Sequence, residues 1–194
     1  MKNILNLKIV SQVLFVLVSM FVLFSLTLSA SALTASNSVT LSATINEILT
    51  FNLGSSTLNL GVLSTNAASS GSHTMTLLTN SLTGAVVTYS GTTLTSGTNS
   101  VTGLATASDS TIDTPQFGLN LVASPCTGTG TIATAATGYS TAGKFKFTTG
   151  DAVLSSTGPI NTTTCTASYV ANIAGTTAVG SYSTVLTYTA SSGV

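Results

Sequence analysis

The sequence predicts an all-β protein: an antiparallel β-sandwich of about nine or ten strands, preceded by a hydrophobic N-terminal helix. Many short stretches alternate apolar and polar residues with period two. Clusters of Gly, Ser, Asn and Thr interrupt these stretches about every 8 to 12 residues. No helical periodicity follows the first 32 residues. The pattern is typical of an Ig-like, Greek-key or jelly-roll sandwich.

The N-terminus has the composition of a secretory signal peptide. Lys2 and Lys8 precede a long uncharged apolar stretch, which ends in Ala30-Ser31-Ala32. Small residues at positions 30 and 32 favour cleavage after Ala32. We therefore expect a signal peptide at 1–32, one β-sandwich domain at 33–194, and Sec-type export. The alternative is an uncleaved anchor that crosses the membrane through residues 9–28.

The first half of the exported part contains several half-buried strand patterns. Residues 65–73, rich in Ser, Ala and Gly, separate the third of these patterns from the fourth and predict a loop. The predicted strands, each with alternating apolar side chains, are 38–45, 48–53, 58–63, 73–79 and 85–90.

The second half is less regular. Short strands and turns are predicted over 90–115, and a long Gly/Thr-rich connection over 124–142. Further alternating stretches occupy 116–123, 144–147, 165–173 and 181–190. In the last of them, we expect Tyr182, Leu186 and Tyr188 to face the core and Ser183, Val185, Thr187 and Thr189 to face outward.

Short motifs in this pattern resemble a bacterial family. The motifs are LNLGVLST at 58–65, VTYSGTTL at 87–94 and GSYSTVLTYT at 180–189. In their order they are similar to spore-coat-U and WxL-type surface domains, which implies a sandwich fold and an extracellular setting. The chain lacks the early cysteines of the first type and contains no Trp, so the WxL wall-binding signature is absent. The resemblance carries over no binding residue.

Charge is scarce, and this excludes some partners. After Ala32 the charged side chains are two lysines and four carboxylates, which gives a net charge of about −2. Without a basic patch we expect no binding of nucleic acid.

The chain has two cysteines, Cys126 and Cys165. In an exported protein they predict a disulfide, which would stabilise the fold by roughly 4 kcal/mol. The alternative is a pair of buried free thiols.

Few residues are candidates for chemistry, and we expect neither an enzyme nor a cofactor. His73 is the only histidine, and we expect it in a surface turn rather than in catalysis. Asp109 and Asp113 form a D-x-x-x-D pair, a weak candidate for calcium. Tyr139, in the Gly-rich connection, is the tyrosine expected to be exposed for ligand contact.

These observations predict a structural role at the cell surface. Sandwich proteins usually guard exposed strand edges with Lys, Pro or bulges, whereas this chain has few lysines and only three prolines. We expect a non-enzymatic coat, surface-layer or filament subunit that associates with itself or with other surface components. No sorting motif follows residue 180, so we expect no covalent retention through the C-terminus. The alternative is a surface-displayed adhesin or a module that binds glycans or cell wall through residues 124–142.

Overall fold

The computed structural model describes residues 2–24, 33–121 and 125–193. They are mostly β-strand in antiparallel sheets, which confirms the predicted β-rich fold. The chain divides into two units, residues 1–44 and 45–194. The described elements are α1 (Lys2–Phe24), β1 (Leu49–Leu53), β2 (Ser69–Thr79), β3 (Ala85–Gly91), β4 (Thr95–Ser96), β5 (Asn99–Ser100), β6 (Ser108–Asp109), β7 (Gln116–Asn120), β8 (Thr134–Ala135), β9 (Lys144–Phe145), β10 (Ala152–Ser156), β11 (Ile160–Asn172) and β12 (Leu186–Ser192).

The first unit contains α1 and an irregular exposed segment. Of the residues that the structure describes, no helix has both the length and the hydropathy needed to cross a membrane. The expected cleavage site at Ala30–Ala32 lies outside the described residues.

Residues 33–48 have no regular secondary structure, and all of them are exposed. The prediction of a strand over 38–45 is therefore wrong. Alternation places apolar side chains on one side, but a strand also needs a neighbouring backbone with which to form hydrogen bonds.

The second unit is built around two four-stranded sheets. The first sheet has the order β1-β2-β11-β7, and the second has the order β12-β3-β10-β8. Two short two-stranded pairs, the hairpin β4-β5 and the long-range pair β6-β9, complete the described ladders. Neighbouring strands within each sheet run antiparallel. Along β2 and β12, successive residues alternate between a more buried and a more exposed face, as the pleat of a strand requires.

The buried faces of both sheets contribute to one apolar cluster. On β2, Met75 and Leu77 are fully buried, and their neighbours in sequence are not. On β12, Leu186 and Tyr188 pack against the cluster, whereas Thr187 and the preceding Val185 are exposed, as the alternation predicts. The largest fully buried members are Tyr89, Tyr139, Phe117, Met75, Leu77, Leu119, Leu121, Leu154, Val87, Val101 and Val153.

Two differences from the predicted strands have local causes. Residues 58–63 form no strand, because Gly61 has a left-handed φ of 75° and donates its N–H to Oδ1 of Asn59 (2.8 Å). Such local bonds replace the bonds of a sheet. Strand β10 was not predicted, because its register shifts between Ala152 and Leu154 and breaks the alternation.

The predicted disulfide between Cys126 and Cys165 is present. This bond attaches Cys126, in the connection after β7, to Cys165 in the middle of β11. Beside it, Thr127 and Thr164 exchange two backbone hydrogen bonds of 2.8 Å.

Candidate functional site

An open groove of about 890 Å³ lies in the unit formed by residues 45–194. One wall is the irregular segment 55–63 and the other is the segment 177–186, which leads into β12. His73, Phe117, Tyr169 and Tyr188 line the groove between these walls. We refer to this feature as the groove.

The groove lies where both sheets end. Strand β11 pairs with β2 from Ser69 to Thr79, whereas β1 pairs only with residues 75–79 of β2. The last backbone hydrogen bond on the β1 side joins the Gly54 N–H to the Thr74 carbonyl (2.7 Å). Residues 69–73 of β2 therefore lie at a sheet edge, and β12 is an edge strand of the second sheet.

Three aromatic side chains share hydrogen bonds at the base of the groove. Nε2 of His73 lies 2.9 Å from the hydroxyl of Tyr169, which lies 2.5 Å from the hydroxyl of Tyr188. The ring centroid of His73 is 5.6 Å from that of Tyr169 and 5.8 Å from that of Tyr188. The alternation of β2, β11 and β12 places these rings on the inward side of their strands.

Burial keeps the two tyrosines protonated. Burial raises the pKa of Tyr169 to about 12, against a smaller lowering by its hydrogen bond with Tyr188. Burial also raises the pKa of Tyr188, and the proximity of Tyr169 adds to this effect. At neutral pH the base of the groove therefore presents neutral hydroxyls.

The walls are uncharged and combine apolar side chains with Ser, Thr and Asn. Val62 is 95% exposed, Val179 is fully exposed and Val185 is 80% exposed, although all three line the groove. No Asp, Glu, Lys, Arg or Cys is among its described lining residues. Such a surface can bind apolar side chains and offer hydroxyl hydrogen bonds, and it presents no carboxylate that could act as a general base.

His73 is not in a surface turn, so that prediction is wrong. It lies within β2, is partly buried, and its Nδ1 is 3.1 Å from the carbonyl oxygen of Thr74. The strand begins four residues earlier than predicted, because Ser69–Ser72 pair with β11 despite their polar composition.

The expected calcium ligands have other partners. Oδ2 of Asp109 accepts a hydrogen bond from Nζ of Lys144 (2.6 Å), and Oδ1 of Asp113 accepts one from the N–H of Gly175 (3.1 Å). Over the described residues, no group of three or more His, Cys, Asp or Glu side chains is arranged to hold a metal. Calcium binding at this pair stays a prediction.

The expectation that Tyr139 is exposed for ligand contact is wrong, because its ring is completely buried. Its hydroxyl lies 3.1 Å from the hydroxyl of Tyr89 and donates to Oδ2 of Asp151 (2.9 Å). Nζ of Lys146 lies 5.5 Å from the centroid of this ring, and the Asp151 carboxylate satisfies its hydroxyl in the interior.

The sequence indicated the groove only in part. The alternation of the last strand correctly placed Tyr182 and Tyr188 on the inward side. The sequence contained no signal that β1 pairs with only part of β2, because pairing between distant strands is a tertiary property. Comparisons with protein-family models, with curated proteins and with solved structures find no match to this chain.

Proposed function

We propose that this protein is a non-enzymatic, exported structural subunit of a bacterial cell surface, which associates with further copies of itself. The observation that carries the proposal is the composition of its edge strands. Neither β1 nor β12 contains a charged residue or a proline. Such edges offer backbone N–H and C=O groups to another strand without the usual protection.

The proposed architecture is a β-sandwich in which the two four-stranded sheets face each other. Residues from both sheets belong to one buried cluster, which supports this arrangement. The likeness to spore-coat-U and WxL-type domains belongs to the same proposal. A sandwich leaves two edges on each sheet, in contrast to a closed barrel, and therefore permits growth through edges.

The distribution of charge favours association. Lys144 pairs with Asp109, and Lys146 pairs with Asp151, so the lysines of this unit are already neutralised locally. A surface with little net charge lacks the repulsion that keeps most soluble proteins apart.

The proposed location is outside the cell. The disulfide is compatible with an oxidising compartment, and the basic, apolar N-terminus supports export by a signal peptide. A glycan-binding role loses its expected contact because Tyr139 is buried, and we therefore favour the structural role.

The test is self-association of the purified exported protein by sedimentation velocity over a range of concentrations. We expect concentration-dependent oligomers. The double variant Thr187→Lys/Thr189→Lys places charges on exposed positions of β12 and should weaken association at least ~10-fold, because edge lysines oppose strand pairing.

The matched control is Ala105→Lys/Ala107→Lys, which adds the same two charges in an exposed connection. It should associate like the wild type. A wild-type protein that stays monomeric at high concentration, at several pH values and with or without calcium, would overturn the proposed function.

A further inference from the structure

We infer that Lys146 and Asp151 condense after folding into an intramolecular amide, which joins Nζ of Lys146 to Cγ of Asp151. We refer to this bond as the cross-link. It forms within one copy of the chain, so the inference does not depend on self-association.

The two reacting side chains are already in contact and largely withdrawn from water. Nζ of Lys146 lies 2.5 Å from Oδ2 of Asp151, and the side chains are 21% and 28% exposed. Condensation requires an uncharged amine and an uncharged acid, and removal from water disfavours the two ions relative to them. The ion pair of Lys144 with Asp109 differs in this respect, because its carboxylate is 72% exposed. We therefore expect only the first pair to react.

A buried hydroxyl group supplies a proton donor at the same place. Tyr139 is completely buried, and its hydroxyl donates to Oδ2 of Asp151 (2.9 Å), the oxygen that has to leave. The Tyr89 hydroxyl accepts the N–H of Thr148 and lies 3.1 Å from the Tyr139 hydroxyl, to which it donates its own proton. This arrangement directs the proton of Tyr139 to Asp151. Tyr139 is therefore placed to act as the general acid.

The reaction balances without a further reactant. A proton passes from Nζ of Lys146 to Oδ2 of Asp151, which gives an amine and a carboxylic acid. The Nζ lone pair attacks Cγ, the Cγ–Oδ2 bond breaks, and Oδ2 leaves as water with a proton from Tyr139, which regains one from Nζ. One ammonium and one carboxylate thus become one amide and one water, and nothing is oxidised or reduced. The ion pair is the reactant, and it persists in molecules that have not condensed.

The backbone holds the two residues against different sheets. Lys146 exchanges backbone hydrogen bonds of 2.9 and 3.0 Å with Leu119 of β7, in the first sheet, and the Asp151 carbonyl accepts the N–H of Tyr89 of β3, in the second. Gly138 leaves room for the lysine stem, since a Cβ at that position would lie 3.1 Å from Cδ of Lys146. Fixed groups in contact avoid most of the entropic cost of reaction. The cross-link would join the two sheets covalently.

The test is mass spectrometry of the purified full chain. The intact mass should be lower than the mass of the sequence by one water molecule. After denaturation and reduction, trypsin locates the loss, because Lys144 and Lys146 are its only cleavage sites beyond residue 8. Trypsin does not cleave after an acylated lysine. Cross-linked protein should therefore yield residues 145–194 minus one water, whereas unreacted protein yields 147–194.

Three variants test the assignment, with the fold checked by circular dichroism. Lys146→Arg keeps the positive charge but has no amine to condense, and should show the full mass. The matched control Lys144→Arg makes the same change in the exposed pair and should keep the loss of water. Tyr139→Phe keeps the buried ring but has no proton donor, so the loss of water after refolding should be ~100-fold slower than in the wild type.

Each other outcome counts against the inference and leaves the proposed function untouched. A folded wild-type protein that keeps the full mass of its sequence on prolonged storage overturns the cross-link. A loss of water with Lys146 still cleaved by trypsin would indicate a succinimide at an aspartate, and a loss retained in Lys146→Arg would exclude this lysine. Either result overturns the inference as well.

Discussion

At the scale of single residues, the Lys146–Asp151 ion pair has a structural role in a network that is largely withdrawn from water. The side chain of Asp151 is 28% exposed and accepts hydrogen bonds from Nζ of Lys146 (2.5 Å) and from the hydroxyl of Tyr139. The Tyr89 hydroxyl accepts a hydrogen bond from the N–H of Thr148 (2.7 Å). Because these groups are largely withdrawn from water, each depends on its partners to offset the cost of desolvation.

Replacing the carboxylate of Asp151 therefore tests its hydrogen bonds with Lys146 and Tyr139. Asp151→Asn keeps an acceptor for Tyr139 but leaves Lys146, 21% exposed, without a counter-charge. We expect the free energy of unfolding to fall by about 1–3 kcal/mol, measured by urea denaturation. The matched change Asp109→Asn affects a pair whose carboxylate is 72% exposed and should cost less than about 1 kcal/mol. Equal losses in the two variants would contradict this account.

The buried tyrosines make stability depend on alkaline pH. Burial raises the pKa of Tyr169 from 10.0 to about 12, so the folded state holds a proton that the unfolded state loses first. The raised pKa of Tyr169 therefore contributes roughly 3 kcal/mol to the free energy of unfolding. This contribution is complete below pH 10 and is lost as the pH rises to 12. The pKa values of Tyr89, Tyr139 and Tyr188 are raised in the same direction.

Circular dichroism and tyrosinate absorbance, followed together against pH, measure this loss. Unfolding and ionisation of these tyrosines should coincide above pH 10. In Tyr169→Phe the stability should fall less steeply between pH 10 and 12, since one ionising group is gone. Full ionisation near pH 10 with the fold intact would show that the hydroxyls are accessible.

At the scale of elements, the connection between β7 and β8 depends on cross-links to β11. Besides the disulfide, the N–H of Ala133 donates to Oγ1 of Thr163 (3.0 Å), and Nδ2 of Asn161 donates to the carbonyl of Thr129 (3.1 Å). This part of the chain contains few large apolar side chains. A covalent link and hydrogen bonds therefore replace the packing that such a connection would otherwise need.

Removal of the disulfide should be costly. Cys126→Ala/Cys165→Ala frees a loop closed across a sequence separation of 39, which costs about 4 kcal/mol in the chain-entropy account. We expect the melting temperature to fall by about 10 °C in a thermal scan. Wild-type protein treated with a reductant should lose a similar amount. A change of only one or two degrees would mean that the hydrogen bonds to β11 suffice alone.

At the scale of the whole molecule, a low charge and open strand edges both favour association between copies. The four lysines and four carboxylates of the chain leave little repulsion between copies. Edge strands β1 and β12 and the groove then provide surfaces on which copies can pair. The proposed self-association follows from these features together.

The sequence by itself determined the β-rich class, the inward and outward faces of the last strand, and the pairing of Cys126 with Cys165. These follow from period two and from cysteine arithmetic, which are local or nearly local rules. Only the tertiary structure decided that Tyr139 is buried, that His73 contacts Tyr169, and that residues 38–45 remain unpaired. Each of these depends on which distant strands meet and on where one strand stops covering another, and neither is encoded in the alternation of a single stretch.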